Sequence, residues 1–390
     1  MHLVSEDQMF RWSDSVPDGA WVCGFSEKYS RSLDLLAAAT DSTLQTTPGE
    51  SHVTMWSALR ESGIKDVPLR YALKGADFQA YLKRLIRQSS DLLETYGDSY
   101  HAKEFVTIRQ FLQGLVQCSI NKKELYRIIN SEDERTGALK TFIPLDSGLL
   151  PATTYSQISS CSGRLTITSG PSILTLRKDR RSLLRSARKK SKLVQIDFVS
   201  LEPRIALSIS GNNTCSDVYE IVRSNALESS VNRDVAKIAT ISSLYGMSPR
   251  KLAKLIGDCE PSEAKKILEK IRKYFKISAL EGRLKKEAEK DQTVKNHYGR
   301  QLSVENAPKH ILVNRFIQST AADGALLGFS KLMDDFSDRG LDIDPVFVIH
   351  DAVIVDVPDS SMREFLKIIS NPLSIPGIDG SFPVATEIIA

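Results

Sequence analysis

The chain has 390 residues, enough to bury a large core and to form about two or three domains. Its 41% hydrophobic and 26% charged residues are typical of a soluble globular protein, and a net charge of +4 is too small to establish a nucleic-acid partner. The five cysteines, an odd number without a C-x-x-C pair, argue against a disulfide framework and a zinc site. The sequence shows neither a signal peptide nor an apolar run of about 18 residues, which predicts a cytoplasmic protein that contacts no membrane.

The first 60 or so residues show no sustained period and predict no function. Apolar residues at helical spacing then predict helices over residues 71–96, 101–118 and 122–129, which together form a helical subdomain with basic edges. An ordinary helical bundle fits this segment equally well.

Two stretches that follow could face a sugar-phosphate backbone. Residues 152–170 are rich in Ser, Thr and Gly and carry Arg164, although the same composition suits any loop. Residues 177–192, beginning at Arg177, hold nine basic residues and one acid and directly precede an apolar strand. A solvated charged surface is the competing interpretation.

Two aspartates follow or interrupt apolar strands. Residues 192–198 predict a buried strand that ends at Asp197, after which Ser200 is the expected N-cap of a helix. Residues 346–357 predict a tight hairpin with Asp351 at its turn. An aspartate at a turn is often there because it tolerates turn geometry, but one held rigidly between apolar strands also suits a metal ligand.

Arg233, Lys237, Ile241 and Tyr245 are spaced four apart and predict one stripe along a helix. Two cations one turn apart form a phosphate clamp, and the tyrosine could contact a base or sugar. A solvated basic face would explain the cations but not the tyrosine.

The remaining pattern is a charged helical region over residues 249–294, a hairpin over 296–304 and a helix over about 310–336. On that helix Asn314 and Gln318 lie one turn apart, an arrangement able to reach a minor groove.

From about residue 70 onwards, the order of these features resembles the polymerase region of family A DNA polymerases, the bacterial DNA polymerase I type. Five motifs of that family have similar counterparts in this chain. The motif T-G-R-L is similar to residues 162–165, D-Y-S-Q-I-E-L-R to residues 197–204, and R-x-x-x-K-x-x-x-F-x-x-x-Y-G to residues 233–246. The motif N-A-P-x-Q-G-T-A-A-D is similar to residues 314–323, and V-H-D-E to residues 349–352.

The resemblance implies an α+β, right-hand polymerase fold, with an antiparallel β-sheet palm and helical fingers and thumb. The implied segments are an N-terminal segment of unknown role (1–68), the thumb (69–150), the first part of the palm (151–228), the fingers (229–300) and the second part of the palm (301–390). The implied activity is template-directed DNA synthesis on primer-template DNA from dNTPs, by two-metal-ion phosphoryl transfer.

By resemblance, Asp197, Asp351 and the backbone carbonyl of Phe198 bind two Mg²⁺ ions, for which Mn²⁺ could substitute. Arg233 and Lys237 bind the incoming triphosphate, and Lys237 also protonates the leaving pyrophosphate.

The resemblance also implies roles around the nucleotide and the primer. By this resemblance, Arg177 is a further triphosphate contact and Glu202 is the steric gate against ribonucleotides. Ile241 lies near the sugar, and Tyr245 lies beside the nascent base pair. The residues at the primer terminus and minor groove are Arg164, Asn314, Gln318 and His350.

Four positions depart from the family pattern. Ala352 replaces a glutamate near the metals, Ile241 replaces an aromatic residue, and Ser200 and Val348 replace glutamines. We therefore expect altered metal use and modest fidelity, while discrimination against dideoxynucleotides cannot be inferred.

About 70 residues precede the predicted thumb, too few for an ordinary exonuclease domain, so we expect no intrinsic proofreading. A monomer that works with a separate exonuclease or replication proteins is the expected assembly. The alternatives are a non-catalytic primer-template binder, a ribonucleotide polymerase and a template-independent terminal transferase.

Overall fold

A computed structural model describes residues 2–7, 9–23, 29–40, 42, 44, 61, 73–131, 137–160, 162–212, 216–227, 231–257, 259–304 and 309–390. The chain divides into two compact units, Met1–Arg109 and Gln110–Ala390. The five-segment division drawn from the sequence stays a prediction.

The first unit contains a small antiparallel sheet and helices. Its strands are β1 (His2–Glu6), β2 (Met9–Ser13) and β3 (Trp21–Cys23), in the order β2-β1-β3. Its helices are α1 (Leu33–Ala39), α2 (Gly75–Leu92), a π-helical turn (Leu93–Gly97) and most of α3 (Tyr100–Gln113).

Two predicted helices in this region differ at their ends. Of the helix predicted over residues 71–96, residues 71 and 72 lie outside the described residues, and the rest is helical to Gly97. The next helix ends at Gln113 rather than at residue 118. Gly114 follows it, and residues 119–120 already pair as a short strand.

The second unit holds most of the helices. They are α4 (Lys122–Ser131), α5 (Gly137–Lys140), α6 (Leu201–Ile209), α7 (Val218–Ala226), α8 (Arg233–Leu244), α9 (Pro249–Ile256), α10 (Pro261–Tyr274), α11 (Ile277–Asp291), α12 (Lys309–Asp338) and α13 (Met362–Ile369). Short 3₁₀ helices cover Ile173–Thr175 and Lys178–Leu183. Among the helices with described residues, none is long and apolar enough to cross a membrane.

The strands of the second unit are short except in one sheet. They are β4 (Ser119–Ile120), β5 (Thr154–Ser156), β6 (Thr166–Ser169), β7 (Leu184–Arg185), β8 (Ser191–Phe198), β9 (Thr293–Lys295), β10 (Gln301–Ser303), β11 (Asp344–Ile349), β12 (Ala352–Pro358), β13 (Leu373–Ile375), β14 (Ile378–Phe382) and β15 (Val384–Ile388).

The main sheet is antiparallel, with strand order β11-β12-β8-β15. Strands β8 and β12 are central and almost wholly buried, which explains their Val- and Ile-rich runs without strict alternation. The hairpins predicted around Asp351 and around residues 299–300 are both present, as β11–β12 and β9–β10.

Helices α8 to α10 pack with α7 around one apolar cluster that includes Ala236, Leu252 and Ile271. On α8 the buried positions are Ala236, Ala239, Thr240, Ser242, Ser243 and Leu244, so the opposite side of the helix faces outward. Of the predicted stripe, Arg233 and Lys237 are exposed on that outward side. Ile241 is half-buried, and Tyr245, just after the helix, packs against the apolar cluster.

Candidate active site

The register of the main sheet brings the two motif aspartates together. Asp197 near the end of β8 pairs across the sheet with Ala352, the first residue of β12. Asp351 immediately precedes Ala352, and its backbone carbonyl accepts a hydrogen bond from the Phe198 N–H at 3.2 Å. Two aspartates 154 residues apart in sequence (351 − 197) therefore lie on neighbouring strand ends.

Both carboxyl groups are partly removed from water. Burial and, second, the negative charge of Asp351 raise the pKa of Asp197 to about 6. Burial also raises the pKa of Asp351 above its ordinary value. The charged forms of this pair are thus destabilised in the absence of a cation.

The donor set fits a divalent metal. A bound dication would offset the mutual repulsion of Asp197 and Asp351, and carboxylate oxygens are the ligands that Mg²⁺ prefers. Within the described residues, no group of three or more His, Cys, Asp and Glu side chains could hold a metal ion. Any further ligands there would come from backbone carbonyls, substrate phosphates and water.

Near each of the two aspartates, one non-glycine residue has a left-handed backbone conformation. His350, before Asp351, has φ +56°, and Ser200, three residues after Asp197, has φ +57°. Such conformations cost energy in non-glycine residues and often occur at functional sites. Ser200 occupies the predicted N-cap position of α6, but its side chain makes no capping hydrogen bond there.

A cavity of about 290 Å³ opens beside Asp351. It is lined by Arg164, Leu165, Leu201, Glu202, Gln318, Ala321, Ala322, Leu326, His350 and Asp351. Five of these are predicted site residues, from four separate sequence segments, so the structure assembles part of the predicted polar site around one space.

Glu202 lies at the centre of the polar contacts in this cavity. One carboxylate oxygen accepts a hydrogen bond from Arg164 Nη2 at 2.9 Å, and the other accepts one from the Tyr245 hydroxyl. These contacts join Tyr245, at the end of α8, to α6 and to the segment that carries Arg164. Gln318 of α12 lines the same cavity.

The remaining predicted residues lie outside the cavity lining. Lys237 is exposed and Ile241 half-buried on α8, while Asn314 lies one turn before Gln318 on α12. Arg177 is exposed and forms a bidentate pair with Asp179, at 3.1 and 3.0 Å. Phe198 is buried, and its ring packs on Phe329 with centroids 5.0 Å apart.

Much of the basic run at residues 177–192 is engaged within the protein. Arg188 pairs with Asp342, Asp344 and Asp356, and Lys178 pairs with Glu387. These contacts favour a structural role for part of the run over a continuous phosphate-binding surface.

A tyrosine that no sequence motif identified supports the Asp351 hairpin. The buried Tyr155 hydroxyl donates to the Val348 carbonyl at 2.9 Å and accepts from the Val348 N–H at 3.1 Å. β11 is an edge strand, so one side of its backbone has no neighbouring strand. The Tyr155 hydroxyl bonds the backbone groups of Val348 in place of such a strand, three residues before Asp351. No local pattern in the sequence links residues 193 positions apart.

A buried ion pair, also missed, supports the segment that carries Arg164. Arg300 donates to both carboxylate oxygens of Asp323, at 2.6 and 2.8 Å, and to the Gln157 carbonyl at 2.9 Å. Gly163 has φ +73°, and a Cβ there would lie 2.6 Å from Arg300 Nε. Glycine is thus required both for the backbone conformation and for the close approach of Arg300.

Comparisons with known proteins agree with this geometry. Residues 101–387 match the family model described as DNA polymerase family A. Over 246 residues the chain is 28% identical to DNA polymerase I of Aquifex aeolicus (strain VF5), a match covering 57% of this chain and 42% of that protein. Over 173 residues it is 25% identical to the DNA polymerase of Mycobacterium phage L5, covering 43% and 28%. The chain thus matches less than half the length of either relative.

The fold is similar to a solved structure of the POL domain of Pol1 from M. smegmatis in complex with DNA primer-template and dNTP. The TM-score is 0.64 at 14% sequence identity, over 92% of this chain and 81% of that chain. The predicted α+β polymerase fold is confirmed by this similarity. Because the family model matches most of its length, the chain belongs to DNA polymerase family A.

Proposed function

We propose that the chain is a template-directed DNA polymerase that adds deoxynucleotides to a primer 3′ end by two-metal-ion phosphoryl transfer. The observation that carries the proposal is the meeting of Asp197 and Asp351, both with raised pKa values, beside a cavity lined by Arg164, Glu202 and Gln318. Family membership supports the same activity.

In this proposal Asp197, Asp351 and the Phe198 carbonyl hold two Mg²⁺ ions, for which Mn²⁺ could substitute. Bound ions would neutralise charge on the attacking and leaving oxygens. The protein itself supplies rigidity, since Asp197 lies on β8 and Asp351 immediately precedes β12, and the register of these two strands fixes the positions of both residues.

The exposed cations of α8 would bind the triphosphate. Arg233 and Lys237 lie one turn apart on the outward side of the helix, and Lys237 Nζ would donate a proton to the leaving pyrophosphate. Arg177 would contact the triphosphate only after its ion pair with Asp179 is broken.

The cavity side chains would recognise the sugar, the base pair and the primer. Glu202 would crowd the 2′ position of the sugar, near Ile241, and Tyr245 would lie beside the nascent base pair. Arg164, Asn314, Gln318 and His350 would contact the primer terminus and minor groove.

Primer extension tests this proposal. With a templated primer, Mg²⁺ and dNTPs, we expect extension that follows the template sequence and stops at its end. Extension of a primer without template would instead show a terminal transferase, and DNA binding without extension would show a primer-template binder. A mismatched, labelled 3′ end that is not degraded would agree with the expected lack of proofreading.

Replacing Glu202 with Ala should weaken sugar discrimination. Because a pocket contact of this kind is worth about 1–3 kcal/mol, we expect the preference for dNTPs over NTPs to fall by about ten- to a hundredfold. The measurement is the ratio of kcat/KM values for a dNTP and its matching NTP. Glu202→Gln keeps the size of the side chain and should keep most of the preference; equal discrimination by Glu202→Ala and the wild type would argue against the gate.

A further inference from the structure

Arg233, the proposed ligand of the triphosphate, binds a carboxylate of the protein itself. Its Nε and Nη2 atoms donate to one oxygen of Asp217, at 2.9 and 2.7 Å. Asp217 immediately precedes α7, so the pair joins the start of α7 to the start of α8. Both side chains are partly exposed, 44% for Arg233 and 37% for Asp217, which leaves the pair accessible to a competing anion.

The two oxygens of Asp217 have separate partners. Oδ1 caps α7 by accepting hydrogen bonds from the N–H groups of Tyr219 at 2.8 Å and Glu220 at 3.2 Å, whereas Oδ2 binds Arg233. Partial burial acts to raise the pKa of Asp217, but these hydrogen bonds outweigh it and the pKa lies below its ordinary value. Capping requires only an oxygen acceptor, so the negative charge serves the contact with Arg233.

A buried aromatic ring supports the guanidinium from another side. The Arg233 guanidinium carbon lies 5.4 Å from the ring centroid of Tyr219, which is 5% exposed. The Tyr219 ring therefore helps to hold the Arg233 guanidinium in place at the start of α8 while Asp217 occupies its charge.

We propose that Asp217 is a positioning residue that occupies Arg233 in the free protein and is displaced by the triphosphate of the incoming nucleotide. A guanidinium binds carboxylates and phosphates through the same N–H groups, so Arg233 cannot hold both fully. A polyphosphate carries more charge than one carboxylate and displaces it, whereas a weakly charged anion does not. Asp217 thus lowers nucleotide affinity modestly and favours polyphosphates over simple anions; this inference rests on the function proposed above.

A double-mutant cycle in anion binding tests the inference. We would titrate metal-free protein with inorganic tripolyphosphate in a calorimeter, using the wild type, Asp217→Asn, Arg233→Ala and the double variant. Because exposed ion pairs contribute little, we expect Asp217→Asn to bind about two- to fivefold more tightly than the wild type. In the Arg233→Ala background the same change should have no effect, since the residue through which Asp217 acts is gone.

Asparagine retains the capping oxygen, so thermal unfolding of Asp217→Asn should match the wild type. Glu124→Gln is the matched control, because Glu124 forms an exposed pair with Arg127 on α4 and should leave tripolyphosphate affinity unchanged. Unchanged or weaker binding by Asp217→Asn, or an equal gain in the Arg233→Ala background, would overturn the inference. These titrations need no catalysis, so a failure of primer extension by the wild type would reject the proposed function separately.

Discussion

Asp351→Asn should abolish primer extension while leaving the fold intact. The substitution removes one of the two carboxylates that would hold the metal ions, and a lost metal contribution of several kcal/mol corresponds to a rate decrease of about a thousandfold or more. The measurement is the single-turnover rate of dNTP addition at saturating primer-template. Asp197→Asn should behave in the same way, because the two side chains share one site.

Stability measurements separate a lost metal site from misfolding. Since the charge of Asp351 helps to raise the pKa of Asp197, the metal-free Asp351→Asn protein should melt no lower than the wild type. Mg²⁺ should raise the melting temperature of the wild type but not of this variant. Asp335→Asn, on the exposed face of α12 and paired with Lys331, should retain full activity. Full extension by correctly folded Asp351→Asn would refute the catalytic assignment.

Arg300→Met should strongly destabilise the folded protein. Arg300 and Asp323 are 5% and 2% exposed, and methionine would leave the Asp323 carboxylate buried without its cation. Breaking a buried pair in this way costs about 3–5 kcal/mol in free energy of unfolding. Urea denaturation of the two variants Arg300→Met and Asp323→Asn, compared with the wild type, measures the loss.

The double variant Arg300→Met/Asp323→Leu is the informative partner experiment. Replacing both charges by apolar groups removes the uncompensated carboxylate, so it should recover a large part of the lost stability. Arg127→Met, which breaks an exposed pair on α4, should have no measurable effect. A loss below about 1 kcal/mol for Arg300→Met would show that the pair behaves like an exposed one.

The elements that carry the site were predictable because their patterns are local. An apolar run that ends at Asp197 and another interrupted at Asp351 predict strands without any knowledge of the fold, and the three strands β8, β11 and β12 are present. The four-residue spacing from Arg233 to Tyr245 likewise predicts a helix stripe, since a helix repeats every 3.6 residues. Motif order then identified the family that the comparisons confirm.

The errors and omissions arise where the backbone conformation or a distant partner decides a contact. Ser200 occupies the predicted N-cap position, but its backbone is left-handed and its side chain makes no capping hydrogen bond. No motif in the sequence identified Asp217, and its contact with Arg233 depends on how α7 packs against α8.

The sequence by itself therefore determined the secondary structure around the site, the residue types available for chemistry and the family. Only the tertiary structure decided which of those residues meet: the β8–β12 register joins Asp197 to Asp351, Tyr155 supports the hairpin, and Arg300 supports the Arg164 segment. The physical reason is that periodicity and capping act over a few neighbouring residues. Strand register and buried ion pairs depend instead on packing between segments far apart in the chain.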